Sequence, residues 1–364
     1  MNPVLTVYLK TYRRPVVLRN AIESILMQDF DDYELVIHDD ASGDETPDVV
    51  ASYPDRRIRY IQAEQNIGGI YGDTEIVNRL QATCTTWLCV HVNDDDYYYK
   101  PDLFSTQVNL FREIEGLAMC LGGVAQKYNH YVPLYGGAVG TRSRYIGDDE
   151  DTVFIENVWP HGTMSGRQFL ELYADEYPAR NIVHGAAMFR SEFLTPDSFN
   201  REFAWQAGAA LNCGMATKGG IYYIDEPCLI NRVEIDCASF RGTQKMHFEQ
   251  CLASISAGYA KVMHDPEMKR LRDRTALGVT QAYLGNKIAN RQGYFRSYPV
   301  GDISHIMTPE ITSVEFLAAL AKHDISITED QRKIIELSDL ATGWDGMMNS
   351  VSKFYLLTAG ERDH

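Results

Sequence analysis

Residues 88–101 of the chain read LCVHVNDDDYYYKP. The apolar run that begins at Leu88 is typical of a buried strand, and the carboxylates of Asp94–Asp96 follow at its C-terminal end. Pro101 then prevents the strand from continuing, because it has no backbone N–H to donate. Three adjacent carboxylates repel one another, and Mg²⁺ or Mn²⁺ would relieve that repulsion while bridging them to a phosphate. This stretch alone leaves two alternatives open, a metal site or an acidic turn, and in both the carboxylates face solvent.

Composition restricts the classes of protein to which the chain can belong. Its 364 residues, 45% of them hydrophobic, can bury a large core and suggest two domains. A net charge of -16 disfavours a nucleic-acid partner, which would require a basic face. The seven cysteines form no C-x-x-C pair, as expected of reduced thiols in a cytoplasmic protein. We find neither a leader sequence nor an apolar run long enough to span a membrane, although peripheral contact with a membrane remains open.

Three further apolar segments precede this strand, at residues 4–9, 35–37 and 58–61. Segments with helical spacing separate them, at residues 16–28, 46–50 and 71–81. This alternation predicts an α/β fold with a mostly parallel sheet and helices on both faces. Ligands of such sheets bind beyond the carboxyl ends of the strands. We therefore expect the polar residues at those ends to lie together, namely Thr11, Asp40, Asn66 and Asp94–Asp96.

Several short motifs in the first hundred residues resemble a known family. TYRRP at 11–15, YELVIHDDASGDET at 33–46, NIG at 66–68 and DDD at 94–96 occur in the order found in family 2 inverting glycosyltransferases. The resemblance covers residues 4 to about 240 and implies the GT-A, Rossmann-like fold. It also implies a metal-dependent enzyme that moves a sugar from a nucleotide diphosphate donor to a hydroxyl of a saccharide or other glycan acceptor. Such enzymes serve surface polysaccharide or glycoconjugate synthesis.

The resemblance also assigns roles to individual residues. Asp96 would be the main ligand of Mn²⁺ or Mg²⁺, and Asp94 and Glu234 would be the other metal ligands. Because a carboxylate can accept the imide N–H of uracil, Asp40 favours a UDP-sugar as the donor. The residues expected to bind the nucleotide sugar are Thr11, Tyr12, Arg14, Asp40, Asn66, Gly68, Asp94, Asp95, Arg190 and Arg241.

The general base is the point at which the sequence departs from the family. The family carries an acidic residue where this chain has Ala209, and an alanine cannot accept a proton. Either the base has been lost by natural or engineered substitution, or it is another residue, or the alignment slips by a residue or two. Asp236 is the main substitute, with Asp197 and Glu202 as further candidates. A catalytically silent sugar-nucleotide-binding protein and a nucleotidyltransferase are the alternative functions.

The composition changes near residue 243, after which amphipathic helices are predicted at 245–264, 267–292, 313–323 and 329–341. We therefore predict a GT-A catalytic domain over residues 1–242 and a helical region over 243–364. The catalytic domain would comprise a nucleotide-binding half, 1–112, and an acceptor half, 113–242. The helices would pack on the catalytic domain, form a homo-oligomer or hold the acceptor.

Overall fold

The computed structural model describes residues 3–67, 84–128, 142–146, 152–176, 182–194, 202, 207–233, 243–291 and 310–340. The helix predicted at 71–81 lies outside these ranges. The strands are β1 (Leu5–Thr11), β2 (Tyr33–Asp39), β3 (Ile58–Gln62), β4 (Leu88–Asn93), β5 (Tyr97–Tyr98), β6 (Leu117–Tyr128), β7 (Arg142–Tyr145), β8 (Thr152–Glu156), β9 (Gly162–Met164), β10 (Ala187–Arg190) and β11 (Gly220–Val233).

The described helices are numbered in chain order. They are α1 (Pro15–Leu26), α2 (Thr46–Ala51), α3 (Leu103–Glu113), α4 (Gly166–Glu176), α5 (Ala207–Ala216), α6 (Gln244–Tyr259), α7 (Pro266–Arg291), α8 (Ser313–Lys322) and α9 (Glu329–Leu337). Pro15 starts α1 at a position where its missing N–H costs nothing. Capping boxes begin α8 at Thr312 and α9 at Thr328.

One sheet in the order β3-β2-β1-β4-β10-β6-β11-β5 organises the molecule. The first four strands of that order are parallel and in register, so their carboxyl ends form one edge. β10 is antiparallel to both of its neighbours, whereas β6 and β11 are parallel to each other. The predicted α/β fold with a mostly parallel sheet is therefore confirmed, with an antiparallel strand inserted near its middle.

Helices cover both faces of this sheet. On one face, α1 and α3 pack against alternate residues of β1, β2 and β4 in one buried apolar cluster. On the other face, α4–α7 contribute to a second cluster that includes Tyr8, Cys89 and Phe189 of the sheet. Both faces are buried, as an apolar strand sequence such as that of β1 requires.

The C-terminal helices belong to the second cluster rather than to a separate core. Phe248 of α6 contacts Phe316 of α8, with ring centroids 4.8 Å apart. Gly258 lets α6 approach α5 closely, because a Cβ there would lie 2.7 Å from Cys213. The helical region thus packs on the sheet domain, while the boundary at residue 242 stays a prediction. Within the described residues, no helix is long and apolar enough to cross a membrane.

Lys287 joins three of these helical segments. It is 1% exposed, and its Nζ donates to the carbonyl of Ile311 at 3.0 Å and pairs with Asp339. Asp339 also accepts the backbone N–H of Ser313 at 3.0 Å, at the start of α8. One buried cation therefore fixes the end of α7 against α8 and α9.

We predict that Lys287→Met lowers the free energy of unfolding by about 1–3 kcal/mol, because Asp339 and the Ile311 carbonyl lose their buried donor. Urea unfolding followed by circular dichroism measures this difference. The control is Lys269→Met, which removes an exposed lysine paired with Asp324 at 3.2 Å and should cost under about 1 kcal/mol. Equal losses in the two variants would contradict the assigned role.

Candidate active site at the carboxyl edge of the sheet

Four of the predicted loops lie together at the carboxyl edge of the parallel strands. The backbone N–H of Asp40, after β2, donates to the carbonyl of Thr11 at the end of β1, at 3.0 Å. The Thr11 hydroxyl donates to Asp94, after β4, at 2.8 Å. The side chain of Asn66, after β3, reaches Asp40 at 2.8 Å. The expectation that these residues lie together is confirmed, and we call this set of loops the acidic rim.

Asp40 is 5% exposed and fastens the loop that follows β3. One carboxylate oxygen accepts the Asn66 side-chain N–H at 2.8 Å, and the other accepts the backbone N–H of Ile67 at 2.8 Å. Asp40 therefore holds this loop in place at the acidic rim.

Asp39 stabilises the acidic rim, a role that the family resemblance did not assign to it. It is fully buried and accepts the Tyr60 hydroxyl at 2.6 Å. Its other oxygen accepts both the backbone N–H and the hydroxyl of Ser42, at 2.9 and 2.5 Å. The sequence signal that could have indicated this role is the three-residue spacing between Asp39 and Ser42. An Asp often forms a hydrogen bond to the backbone of the turn that it begins.

Asp94 and Asp95 share one cation. The guanidinium of Arg14 lies 2.6 Å from Asp95 and 3.5 Å from Asp94. Burial, reinforced by the charge of Asp95, nevertheless raises the pKa of Asp94 to about 6. Arg14 and the Thr11 hydroxyl favour the charged form but do not outweigh the burial. Burial therefore outweighs the neighbouring cation and hydroxyl at this carboxylate.

Asp96 corrects the expectation that these carboxylates face solvent. It is 1% exposed, and the side-chain amides of Asn231 and Asn93 donate to its two oxygens at 2.8 and 3.4 Å. Burial and the charge of Asp95 raise its pKa well above that of an ordinary carboxyl group. Asn231 lies on β11, far along the chain, and no local motif identified it.

The chemistry of these donors fits a hard divalent cation. Asp94 and Asp96 offer buried carboxylate oxygens, and Mg²⁺ often binds one or two carboxylates and completes its shell with water and phosphate. Among the described residues, no group of three or more Asp, Glu, His or Cys side chains is arranged to hold a metal. The third predicted ligand, Glu234, lies outside those residues. The metal therefore stays a prediction.

The remaining predicted site residues divide into three sets. Tyr12 follows β1 at the acidic rim and is 40% exposed. The expectation that Arg190 lies with the other site residues is wrong. Antiparallel pairing places it beside Leu88, about 17 Å from the acidic rim. There its Nε donates to the Leu117 carbonyl at 2.5 Å. Outside the described residues lie Gly68, Asp197, Asp236 and Arg241.

The predicted base position lies in the first turn of α5. Ala209 is 5% exposed and belongs to the apolar cluster shared with α6. The preceding residue, Gly208, faces the imidazole of His184 instead, and a Cβ built on it would lie 3.2 Å from Nε2. Glu202, another candidate base, is exposed. The assignment of the base to position 209 stays a prediction.

A small cavity of about 50 Å³ opens beside the far half of β6. Its walls are mostly apolar and include Gly122, Gly123, Trp159, Val183 and Tyr223. Gln126 also lines it and is the cross-strand partner of Asn231, which binds Asp96. The cavity is therefore connected to the acidic rim through adjacent residues of β6 and β11.

Comparison with known proteins gives a family and a fold. A model of Glycosyl transferase family 2 matches residues 6–195, just over half the chain. A GalNAc(5)-diNAcBac-PP-undecaprenol beta-1,3-glucosyltransferase of Campylobacter jejuni is 45% identical over 60 residues, 16% of this chain and 19% of that protein. A validoxylamine A glucosyltransferase of Streptomyces hygroscopicus is 42% identical over 65 residues, 17% of this chain and 15% of that protein.

Matched segments span about a third or less of the length of these curated relatives. Among solved structures, TarS 1-349 of S. aureus aligns with a TM-score of 0.57 at 11% identity, covering 99% of this chain and 93% of that one. At this identity the likeness shows the fold alone, and that fold is the predicted GT-A fold.

The hydrogen bond between Thr11 and Asp94 provides a test of the acidic rim. Thr11→Val keeps the side-chain shape but leaves a buried carboxylate without its donor, so we expect a loss of about 1.5–3 kcal/mol in unfolding free energy at pH 7.5. Thr11→Ser keeps the hydroxyl and is the matched control, with an expected loss of under about 1 kcal/mol. Urea unfolding measures both variants, and equal losses would mean that the hydroxyl contributes nothing.

Proposed function

The chain belongs to glycosyltransferase family 2, and we propose that it transfers a sugar from a UDP-sugar to a hydroxyl group of a saccharide acceptor, with inversion at the anomeric carbon. The observation that carries this proposal is the acidic rim. It gathers buried carboxylates at the carboxyl ends of parallel strands, where α/β sheets bind nucleotides. We further propose that the reaction serves synthesis of a surface polysaccharide or glycoconjugate.

Binding of the nucleotide would involve the loops after β1 and β2. Asp40 would accept the imide N–H of uracil, and the exposed ring of Tyr12 offers a surface for the base. Asp95 would lie by the ribose, and Asn66 and Gly68 would complete this side. TarS of S. aureus, which has the same fold, has also been solved in complex with UDP, in agreement with such a donor.

The diphosphate would lie over Asp94 and Asp96. We propose that these two carboxylates, with Glu234, hold Mn²⁺ or Mg²⁺, which would compensate their buried charge. When bound, the ion would stabilise the negative charge that develops on the departing diphosphate. Arg14, already paired with Asp95 at 2.6 Å, would add a positive charge on the same side, and Arg241 is proposed to reach the diphosphate as well.

The acceptor would approach from the side of β6 and β11. The cavity of about 50 Å³ beside Trp159 is apolar and could receive a substituent of the acceptor sugar. The relative from C. jejuni is named for a sugar chain on an undecaprenol carrier, which supports a glycan acceptor. Contact with a membrane that displays such an acceptor is part of the proposal.

Two other functions are alternatives to this proposal. A silent sugar-nucleotide-binding protein is favoured by one observation, namely that the expected base position carries Ala209. It predicts donor binding without transfer. A nucleotidyltransferase would require a glycine-rich, lysine-containing phosphate loop after β1, and residues 11–15 read TYRRP.

The proposed function is tested first by a thermal-shift screen of nucleotide sugars with and without Mn²⁺, followed by turnover assays with the donor that binds. We expect Asp96→Asn to abolish metal-dependent binding of UDP while the fold remains intact, because the amide removes a buried charge and keeps the size of the side chain. The control is Asp48→Asn, an exposed carboxylate on α2, which should bind UDP as the wild type does. Unchanged affinity and metal dependence in Asp96→Asn would exclude this metal site.

Recognition of uracil by Asp40 is tested separately. Asp40→Ala should weaken UDP by about tenfold to a hundredfold, as expected for a lost hydrogen bond to a charged group, and should weaken GDP much less. Loosening of the Ile67 loop would affect both nucleotides, so the ratio of the two affinities is the informative quantity. Isothermal titration calorimetry measures it, and an unchanged ratio would argue against recognition of the base at Asp40.

A further inference from the structure

We propose that His184 is the general base of the transfer reaction, accepting the proton of the acceptor hydroxyl at Nε2. This inference rests on the proposed function and concerns the step for which the sequence supplied no base. It replaces the carboxylate that the family resemblance expected near position 209 with an imidazole from another part of the chain.

The position of His184 follows from the antiparallel course of β10. A single 3-10 turn, His184–Ala186, precedes β10 and contacts β4 and β6. Because β10 runs opposite to β4, this turn lies toward the acidic rim, whereas Arg190 lies at the other edge. His184 is thus at the end of β10 where chemistry would occur.

The turn that carries His184 is held firmly. The Tyr98 hydroxyl donates to the carbonyl of Gly185 at 2.8 Å. Gly185 also packs so closely that a Cβ there would lie 3.1 Å from Val92 and 3.2 Å from Leu229. A base must be fixed within hydrogen-bond reach of the proton it removes, and these contacts fix the backbone of His184.

The first turn of α5 leaves space for the imidazole. A side chain at Gly208 would begin 3.2 Å from Nε2 and 3.5 Å from Cε1, so glycine at this position lets the ring lie here without a tight contact. Ala209 is directed into the apolar cluster with α6, and the N–H of Ala210 donates to the Ser254 hydroxyl at 2.7 Å. The helix end that was expected to present a carboxylate therefore carries a glycine at position 208, and Nε2 of His184 lies against that glycine.

The electrostatic surroundings give this imidazole the basicity of a carboxylate. Among the described residues, Lys10 of β1 and His91 of β4 are charged or titratable groups that act on it. Burial, with a smaller contribution from Lys10, lowers the pKa of His184 to about 4. An ordinary aspartate has a pKa of about 3.9, so a neutral His184 at pH 7 is as basic as the residue it replaces.

The proposed step consists of one displacement at the anomeric carbon and one proton transfer. The acceptor oxygen attacks the anomeric carbon, and the bond from that carbon to the diphosphate oxygen breaks, with its electron pair leaving on UDP. The hydroxyl proton passes to His184 Nε2, and the imidazolium formed later loses that proton to solvent. No oxidant or further reactant is required.

The test measures transfer and donor binding in His184→Gln. We expect transfer to fall by about 10²–10⁴-fold, the usual contribution of a general base, while the affinity for UDP changes less than about threefold. The matched control is His323→Gln, a partly buried histidine on the C-terminal helices, which should transfer as the wild type does. If His184→Gln is unstable, His184→Ala should regain transfer when imidazole is added.

The pH profile separates a base from a structural residue. Wild-type kcat/KM should fall near pH 6 as Asp94 is protonated and should show a further acidic limb near pH 4, because protonated His184 cannot accept a proton. His184→Gln should lose this acidic limb as well as the rate. A structural role would lower stability and leave the shape of the profile unchanged.

Three results would overturn the inference. His184→Gln could transfer at the wild-type rate, or added imidazole could fail to rescue His184→Ala. Alternatively, Asp236→Asn or Glu202→Gln could abolish transfer while His184→Gln retains it, which would place the base on that carboxylate. Failure of the proposed function is distinguishable, because the wild type would then bind and transfer no nucleotide sugar at all.

Discussion

The burial of negative charge at one edge of the sheet is the constraint on which the rest of the site depends. Asp39, Asp40, Asp94 and Asp96 are each less than a tenth exposed, and a buried carboxylate is costly unless donors surround it. Those donors come from several strands and loops, among them Thr11 at the end of β1 and Asn231 on β11. The loops must therefore meet at this edge, and the order of the strands is what allows it.

The motifs predicted the half of this edge that is built from consecutive βα units. Each parallel strand ends beside its neighbour, so Thr11, Asp40, Asn66 and Asp94 could be brought together from chain order alone. The burial of Asp96 could not be predicted in this way, because its donor Asn231 is 135 residues distant. Arg190 failed for a related reason, since the antiparallel direction of β10 is set by tertiary pairing rather than by local sequence.

The same reversal of β10 explains how a histidine and an arginine from one short segment reach opposite edges. His184 enters the strand from the side of the acidic rim, and Arg190 leaves it beside Trp87 and Phe111, with ring centroids 5.3 and 5.6 Å from its guanidinium. The family resemblance assigned a donor-binding role to Arg190, at the end of this segment. The direction of the strand places His184, the first residue of the segment, at the edge that carries the acidic rim.

The C-terminal helices acquire a role in this arrangement. Helix α5 contacts α6 through Gly258, where a Cβ would lie 3.1 Å from the carbonyl of Ala210, and the Ser254 hydroxyl of α6 accepts the N–H of Ala210. These contacts fix the first turn of α5, and hence the distance between Gly208 and His184. Because α6 in turn packs on α8 through Phe248 and Phe316, the helical region stabilises the position of α5 next to the site. Packing on the catalytic domain, one of the three roles expected for these helices, is thereby connected to catalysis.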